Sequence, residues 1–298
     1  DRSMCIGCGE CAQVCKAGAI DYEADETVTE TLKVGSVVLC PGFDEFDPSK
    51  LTAYGYRKYD NVVTSIEFER MMSASGPTGG HIIRPSDGRI PEKVAFLHCI
   101  GSRDSSIGVT YCSSVCCMYS LKEAIIAQEH TPGLKTHLFA MDFRATGKQF
   151  EDYRIRAEEE LGVKITRNNR IGAVEEDPVT SDLSIRYIEG DHIEEETFDM
   201  VVLGVGLRPP ANADYISRVF GIELNEHGFA ETSFYKPHAT NVPGVYVAGA
   251  FSEPKDIPDT VAEASGAAAR AAGDIAEARG TLVEEITYPE ERDVAGEE

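Results

Sequence analysis

The residues of this chain with the most distinctive chemistry are its nine cysteines, most of which fall into two groups. The first group has the spacing C-x2-C-x2-C-x3-C and comprises Cys5, Cys8, Cys11 and Cys15. A tight loop with this spacing can wrap three thiolates around one face of an iron–sulfur cube, and in two-cluster ferredoxins the fourth cysteine ligates the other cluster. We therefore predict an iron–sulfur cluster here, with a zinc knuckle as the alternative, and leave open whether Cys15 ligates the same cluster as the other three.

The second group has the spacing C-x12-C-x3-C-C and comprises Cys99, Cys112, Cys116 and Cys117. It lies between a predicted strand, residues 93–99, and a helix that we expect to begin near Ser113. In a doubly wound α/β domain this junction normally carries the G-x-G-x-x-G turn that holds a nucleotide pyrophosphate, but the turn from Gly101 to Asp104 lacks that pattern. Thiolates at a helix N-terminus are stabilised by the helix dipole and by free backbone N–H groups, which suits metal ligation.

Other interpretations of the cysteines remain open at this stage. The adjacent pair Cys116 and Cys117 fits poorly into an ordinary tetrahedral zinc knuckle, although a loop-distorted zinc site is conceivable. Structural thiols combined with a redox-active disulfide between Cys112 and Cys116 form a further alternative. We interpret the ninth cysteine, Cys40, as a buried thiol that packs as a small hydrophobe rather than as a metal ligand.

Length and charge restrict the class of protein. The chain has 298 residues, room for roughly two domains, and 28 basic against 51 acidic residues give a net charge of −23. Such a charge argues against a nucleic-acid-binding surface. No apolar run approaches the ~20 residues that span a bilayer and no signal peptide opens the chain, so we expect a cytoplasmic protein. Because the chain begins at Asp1, almost directly on a cysteine motif, we also expect further residues upstream.

Apolar periodicity predicts an alternating series of strands and helices. The predicted strands are residues 34–39, 93–99, 134–142, 164–166, 184–187 and 199–205. The predicted helices are residues 62–72, a segment from about Ser113, residues 150–161 with Gly162 as a C-cap candidate, and a small-residue helix after Thr260. We expect residues 73–91 to form a linker or surface loop, and the acidic runs 174–177 and 194–196 to be solvated hairpin edges.

Two segments repeat a strand that runs into a glycine turn. Residues 36–43 show the pattern first, and Gly244 to Phe251 show it again. The helix that follows the second segment is rich in alanine and glycine, and such side chains let a helix lie close to a sheet or to a bound ligand. Its N-terminal N–H groups would face that ligand.

The four-cysteine group, the ferredoxin-type motif and the segment from Gly244 to Pro258 together resemble the A subunit of heterodisulfide reductase, over residues 1 to about 280. The resemblance implies an α/β fold of the thioredoxin-reductase type, with doubly wound FAD and NAD-like domains and a partial ferredoxin-type insert. We predict five segments. They are the insert (1–26), part of the FAD-binding domain and a linker (27–90), an NAD-binding-like domain carrying the four-cysteine site (91–205), a return segment of the FAD-binding domain (206–280) and an acidic tail (281–298).

The resemblance also implies the cofactors. It places a [4Fe-4S] cluster on the second cysteine group, beside FAD. The FAD-binding residues that it implies are Pro41, Gly42, Phe43, Gly249, Ala250, Phe251, Lys255, Asp256, Ile257 and Thr260. The sequence departs from related flavoproteins in its lack of G-x-G-x-x-G, in Cys40-Pro41-Gly42 where Ala-Thr-Gly is common, and in Ala250 where an aspartate binds the ribityl hydroxyls. Asp256 is the substitute that we expect for that aspartate.

The function implied by the resemblance is electron transfer. Electrons would pass from a partner hydrogenase, formate dehydrogenase or other dehydrogenase through FAD to [4Fe-4S] clusters, by flavin-based bifurcation to ferredoxin and to the heterodisulfide of coenzymes M and B. Other heterodisulfide reductase subunits would complete the complex. We predict Lys122 and Lys255 as cations near the flavin and Glu69 as a coupled acid. The alternatives are an NAD(P)H-dependent disulfide oxidoreductase and a non-enzymatic iron–sulfur relay.

Overall fold

A computed structural model describes residues 5–22 and 29–276. The chain divides into two compact units, Asp1–Val34 and Gly35–Glu298. The predicted acidic tail, residues 281–298, lies outside the described residues. No helix in the described ranges is long and apolar enough to cross a membrane.

The first unit carries one short helix, α1 (Glu10–Val14). Gly9 precedes this helix with φ +75°, a left-handed conformation that glycine adopts without strain. Cys11 lies in the helix and Cys15 directly follows it. The turn and the helix therefore bring the C-x2-C-x2-C-x3-C motif into a single compact loop.

The second unit is built from an alternation of strands and helices. Its strands are β1 (Val37–Leu39), β2 (Asp44–Glu45), β3 (Val62–Thr64), β4 (Lys93–Ile100), β5 (Lys135–Phe139), β6 (Lys164–Thr166), β7 (Glu175–Glu176), β8 (Leu183–Glu189), β9 (His192–Phe198), β10 (Met200–Val205), β11 (Leu207–Arg208) and β12 (Val245–Val247). Its helices are α2 (Ser65–Met72), α3 (Cys116–His130), α4 (Phe150–Glu159), α5 (Ala213–Phe220) and α6 (Ile257–Ile275). The predicted strands and helices therefore occur, with bounds that differ by a few residues.

A parallel five-stranded sheet in the order β3-β10-β4-β5-β6 forms the centre of this unit. Its two longest strands, β4 and β10, are largely apolar runs because both faces of the sheet are covered. Helices α2, α3 and α4 cover one face, where Phe68, Leu121 and Ala157 are buried. The antiparallel sheet β7-β8-β9 covers the other face through residues such as Ile185 and Phe198.

Residues 62–72 differ from the prediction of a single helix. The β-branched residues 62–64 form β3, which pairs with β10, and the helix begins only at Ser65. Thr64 and Glu67 form a capping box: the Thr64 N–H donates to Glu67 Oε2 over 2.7 Å. The central sheet therefore begins upstream of residue 91, where we expected the domain to start.

Two helix ends also differ from their predicted positions. Helix α3 begins at Cys116 rather than near Ser113, because Ser114 has φ +62° and cannot continue a right-handed helix. Helix α4 ends at Glu159, and Gly162, with φ +70°, lies beyond the C-cap residue Glu160. Both loops thus turn through left-handed residues before the next element begins.

The predicted solvated edges at 174–177 and 194–196 lie in the antiparallel sheet. Glu194 and Glu195 are exposed as expected. Glu196 differs, because its carboxylate contacts Lys93 Nζ over 2.7 Å and the ring of buried His137 over 2.9 Å. Burial lowers the pKa of His137 to about 4, so that ring is neutral at physiological pH.

A second, smaller layer joins the two strand-into-glycine segments. Strand β1 pairs in parallel with β12, so residues 36–43 and 244–251 lie side by side. Helix α6 packs on this pair through Ala267, which is fully buried against Tyr246 and Ala248. The small residues of α6 therefore let it approach the paired strands closely, as predicted.

Candidate functional site

Three cysteines of the second group, Cys99, Cys116 and Cys117, lie together at the carboxyl edge of the central sheet. Cys99 lies near the end of β4 with φ +61°, a conformation that turns the chain sharply out of the strand. Cys116 and Cys117 form the first turn of α3, and Cys112 lies in the loop between the strand and the helix. Cys99, Cys116 and Cys117 are buried, and all four are free thiols.

These thiols differ in how readily they ionise. The Cys116 thiol lies within hydrogen-bonding reach of both Cys117 and Cys99, and these contacts, together with burial, raise its pKa well above the usual value. The hydrogen bond from Cys116 lowers the pKa of Cys117 to about 4 and that of Cys99 to about 7. Cys99 and Cys117 therefore present thiolates, which are the form of cysteine that binds iron.

The surroundings of the thiols fit an iron–sulfur cluster. His98 is buried, and neither of its ring nitrogens has a hydrogen-bond partner among the described residues. The ring nevertheless faces Cys117, whose pKa it helps to lower. A buried N–H group that lacks a partner is costly, and the sulfur atoms of a cluster accept such hydrogen bonds. The four free thiols thus match the ligand set of a [4Fe-4S] cluster, and the buried His98 ring beside Cys117 fits a hydrogen bond to its sulfur atoms.

A single metal ion and a cluster place different demands on their ligands. Within residues 5–22 and 29–276, no three or more His, Cys, Asp or Glu side chains converge closely enough to hold one metal ion. In a [4Fe-4S] cluster each cysteine binds a separate iron of the cube, so the four sulfur atoms lie further apart than around one ion.

A large cavity of about 1060 Å³ adjoins the four-cysteine group. Ser114 and Val115, which lie between Cys112 and Cys116 in the chain, form part of its wall. Most of the residues that we predicted to bind FAD line this cavity, namely Gly42, Phe43, Gly249, Ala250, Lys255, Asp256, Ile257 and Thr260. Pro41 and Phe251 are not among the lining residues, and Phe251 is fully buried behind the wall.

The interpretation of Cys40 as a buried structural thiol is wrong. Cys40 is exposed and lies on the cavity wall beside Gly42. The physical reason is its place at the end of β1, in a sheet of two strands whose end opens onto the cavity. An apolar run alone could not distinguish this position from the end of a covered strand.

The helix N-terminus that we predicted to face a ligand borders the cavity. Asp256 is the N-cap of α6, and its Oδ1 accepts a hydrogen bond from the Asp259 N–H over 2.8 Å. Gly249 lies opposite with φ +75°, and a Cβ atom there would approach Thr260 Cγ2 to 3.3 Å. The wall can therefore accept only a glycine at this point without displacing its neighbours.

The two predicted cations reach the cavity, each with a carboxylate partner. Lys255 Nζ lies 2.6 Å from Glu263 Oε1, and both side chains are at most one-tenth exposed. Glu263 also accepts the Gly249 N–H through its other oxygen, which ties the lysine to the glycine turn. Lys122 Nζ lies 2.6 Å from Glu69 Oε2. Glu69 lines a separate groove of about 900 Å³ and not the cavity itself.

The first cysteine group is more open than the second. Cys5, Cys8 and Cys11 are exposed, and Cys15 is partly exposed. The Ala19 N–H donates to Cys15 Sγ over 3.4 Å, and this bond lowers the pKa of the Cys15 thiol. Backbone N–H groups thus stabilise a thiolate in this loop.

Sequence reasoning missed a buried carboxyl group on α3, that of Glu123. Its side chain is almost fully buried, Oε1 accepts a hydrogen bond from Ser65 Oγ over 2.5 Å, and Oε2 has no partner among the described residues. Burial raises the pKa of Glu123 to about 8, and the negative charge of Glu69 adds to this effect. The helical spacing of the apolar residues around Glu123 was the available signal for its burial.

The protonation of Glu123 makes stability depend on pH. In the unfolded chain the carboxyl ionises near its ordinary pKa of 4.5, so between that value and about 8 the folded protein holds the extra proton. We expect the free energy of unfolding to fall with rising pH in this window, by up to about 1.4 kcal/mol per pH unit from this group. Glu123→Gln should remove this contribution, as measured by urea denaturation at pH 5.5 and pH 7.5.

The matched control for that measurement is Glu129→Gln, at the exposed end of the same helix. It should keep the pH dependence of the unmodified protein. If the free energy of unfolding changed equally with pH in Glu123→Gln and in the unmodified protein, the Glu123 carboxyl would be ionised in the folded state.

Comparison with known proteins gives matches over both parts of the chain. Residues 1–21 match the 4Fe-4S binding domain family, and residues 121–268 match the pyridine nucleotide-disulphide oxidoreductase family. A relative from Methanothermobacter marburgensis, named as the A subunit of an H(2):CoB-CoM heterodisulfide,ferredoxin reductase, is 42% identical over 91% of this chain and 41% of its own length. A relative from Methanococcus maripaludis, named as the A subunit of an H(2)/formate:CoB-CoM heterodisulfide,ferredoxin reductase, is 43% identical over 81% of this chain and 37% of its own. The chain thus spans about two fifths of the length of these relatives.

Among solved structures, thioredoxin reductase of Lactococcus lactis is similar with a TM-score of 0.50 and 18% identity, over 80% of this chain and 64% of that one. This likeness concerns the fold alone. Together with the parallel sheet it confirms the predicted α/β fold of the thioredoxin-reductase type. The family matches confirm FAD and [4Fe-4S] clusters as the cofactors.

Proposed function

Since the chain belongs to the family of heterodisulfide reductase A subunits, we propose that it is the electron-transferring flavoprotein part of such a complex. The residues of the cavity would hold FAD and the cysteines would hold [4Fe-4S] clusters, and these cofactors would supply the path for electrons from a partner dehydrogenase. The observation that carries this proposal is the common wall of the two sites. Ser114 and Val115 line the cavity, and their chain neighbours Cys112 and Cys116 belong to the four-cysteine group.

The residues of this chain would hold each cofactor in a defined way. FAD, when bound, supplies the exchange between two-electron and one-electron transfer. Gly42 and Gly249, which line the cavity at positive φ, would let the backbone approach it closely. Lys255 acts as a positioning residue, because its contact with Glu263 holds the Gly249 turn.

Lys122 is the cation that can respond to charge in the cavity. Its Nζ reaches the cavity wall while Glu69 holds it from the side of the neighbouring groove. Both side chains are about two-fifths exposed, so the pair is accessible to solvent. The pair can therefore present positive charge at the cavity wall when negative charge develops in the cavity.

The partners follow from the names of the relatives and belong to the proposal. The Methanothermobacter relative is named for hydrogen, ferredoxin and the CoB-CoM heterodisulfide, and the Methanococcus relative is named for formate as well. We propose that this chain works with other heterodisulfide reductase subunits and with a hydrogenase or formate dehydrogenase. Bifurcation of electrons to ferredoxin and to the heterodisulfide is the finer form of this proposal.

The test combines cofactor analysis with a variant of the cavity wall. The protein reconstituted anaerobically with iron and sulfide should hold about eight iron atoms, four for each cluster, and should bind added FAD. Gly249→Val should weaken FAD binding by about tenfold or more, because valine is strained at φ +75° and its side chain enters the cavity wall. Quenching of flavin fluorescence measures the affinity, and iron content should stay unchanged.

Gly162→Val is the matched control. Gly162 has φ +70° but open space around it, so this variant carries the same backbone strain outside the cavity. It should bind FAD normally. Iron without flavin binding would favour a simple iron–sulfur relay, whereas flavin without iron would favour a disulfide oxidoreductase and contradict the proposal.

A further inference from the structure

We propose that Arg144 is a positioning residue that sets the reduction potential of the four-cysteine cluster from the wall of the cofactor cavity. This inference rests on the proposed function, because it assumes that the four cysteines bind a cluster. Arg144 was not among the residues predicted from the sequence. It lies in the loop after β5, remote in sequence from all four cysteines.

Arg144 faces both sites. Its side chain lines the cavity, and its guanidinium interacts electrostatically with Cys112 and Cys117. Its backbone lies close enough to Cys117 to help lower the pKa of that thiol. One residue thus contacts the cluster ligands through its backbone and its charge while it forms part of the cofactor wall.

Asp142 fixes the position of the guanidinium. Arg144 Nε lies 3.1 Å from Asp142 Oδ2, and Arg103 Nη1 binds the other oxygen of the same carboxylate. The Cys117 sulfur lies 3.8 Å from the backbone carbonyl oxygen of Asp142, so this aspartate lies next to the cysteines. The carboxylate therefore holds two arginines beside the cysteines.

The balance of charge distinguishes Arg144 from Lys122 and Lys255, which also line the cavity. Lys122 pairs with one carboxylate and Lys255 contacts two, Glu263 closely and Glu253 at 3.9 Å. Asp142 instead binds two arginines, which leaves a net positive charge next to the cluster ligands. Such a charge favours the addition of an electron to the cluster. Because the Arg144 side chain is 42% exposed, solvent weakens this effect without removing it.

The experiment is a redox titration of the reconstituted protein, followed by the paramagnetic signal of the reduced cluster. Arg144→Gln should lower the equilibrium constant for reduction of this cluster by about tenfold, which corresponds to about 59 mV for a one-electron couple. Arg144→Lys keeps the charge and should retain most of the original potential. The signal of the cluster in the first unit provides an internal reference, since neither variant should move it.

The matched control is Arg89→Gln. Arg89 also binds the aspartate two residues before it, with Arg89 Nε 2.7 Å from Asp87 Oδ2, but it lies on an exposed loop and does not line the cavity. This variant should leave both potentials unchanged. An unchanged potential in Arg144→Gln, or an equal fall in Arg144→Lys, would overturn the inference.

The two proposals fail in different ways. An unmodified protein that binds no cluster at the four cysteines would contradict the proposed function itself. A protein with both clusters whose potentials are insensitive to Arg144 would contradict only this inference. If Arg144→Gln loses the cluster, the reduction potential of the four-cysteine cluster in Arg144→Lys is compared with that in Arg89→Gln. Equal potentials support the charge effect, and a lower potential in Arg144→Lys overturns it.

Discussion

Replacing Cys117 with serine should abolish the paramagnetic signal of one reduced cluster and leave that of the Cys5–Cys15 cluster intact. The reason is the chemistry of this thiol. Hydrogen bonding from Cys116 lowers the pKa of Cys117 to about 4, so the sulfur is a thiolate ready to bind iron. A serine hydroxyl stays protonated at neutral pH and is a poor ligand for the cube. Iron content should fall from about eight to about four atoms per chain.

Cys40→Ser is the matched control for this variant. Cys40 is an exposed thiol outside both cysteine groups, so its loss should leave both signals and the iron content unchanged. Far-ultraviolet circular dichroism of both variants would show that the fold survives. An unaltered spectrum for Cys117→Ser would remove Cys117 from the ligand set.

Replacing Arg84 with alanine should destabilise the protein by about 3–5 kcal/mol. Arg84 is 1% exposed, and its Nη1 contacts Asp182 over 2.7 Å and Asp199 over 2.9 Å. Nη2 donates to the Thr180 carbonyl over 2.7 Å. Removal of the guanidinium leaves two carboxylates without their partner and opens a cavity in a closed part of the structure.

Chemical denaturation measures this effect, with Arg89→Ala as the control. Arg89 comes from the same loop but its side chain is 63% exposed, and we expect its removal to change stability by about 0.5 kcal/mol or less. Similar losses for the two variants would show that the buried network contributes no more than a surface ion pair.

Arg84 also shows why its loop could not be understood from sequence. The composition of residues 73–91, rich in glycine, proline and serine, predicts a surface loop, and much of this segment is indeed turn. Ile82 and Arg84 are nevertheless fully buried. The partners of Arg84, Asp182 and Asp199, lie about 100 residues further along the chain. The packing of the antiparallel sheet brings them to Arg84. No local pattern contains that information.

The amino-acid sequence by itself determined the parts of this protein that depend on local spacing. Three features could be recognised from short stretches of sequence. They are the spacing of both cysteine groups, the alternation of strands and helices, and the two strand-into-glycine segments. The resemblance to the A subunit of heterodisulfide reductase rests on the same local motifs. For this reason the fold class and the cofactors agree with the comparisons.

Only the tertiary structure decided what surrounds those motifs. Glu123 is buried because α2 and the central sheet close over α3, and Arg144 reaches the cysteines because β5 ends beside β4. Cys40 is exposed because its sheet has only two strands. Burial, charge pairing and pKa depend on atoms that are distant in the chain. They are therefore properties of the folded arrangement, and the residues that tune a site emerge only when that arrangement is known.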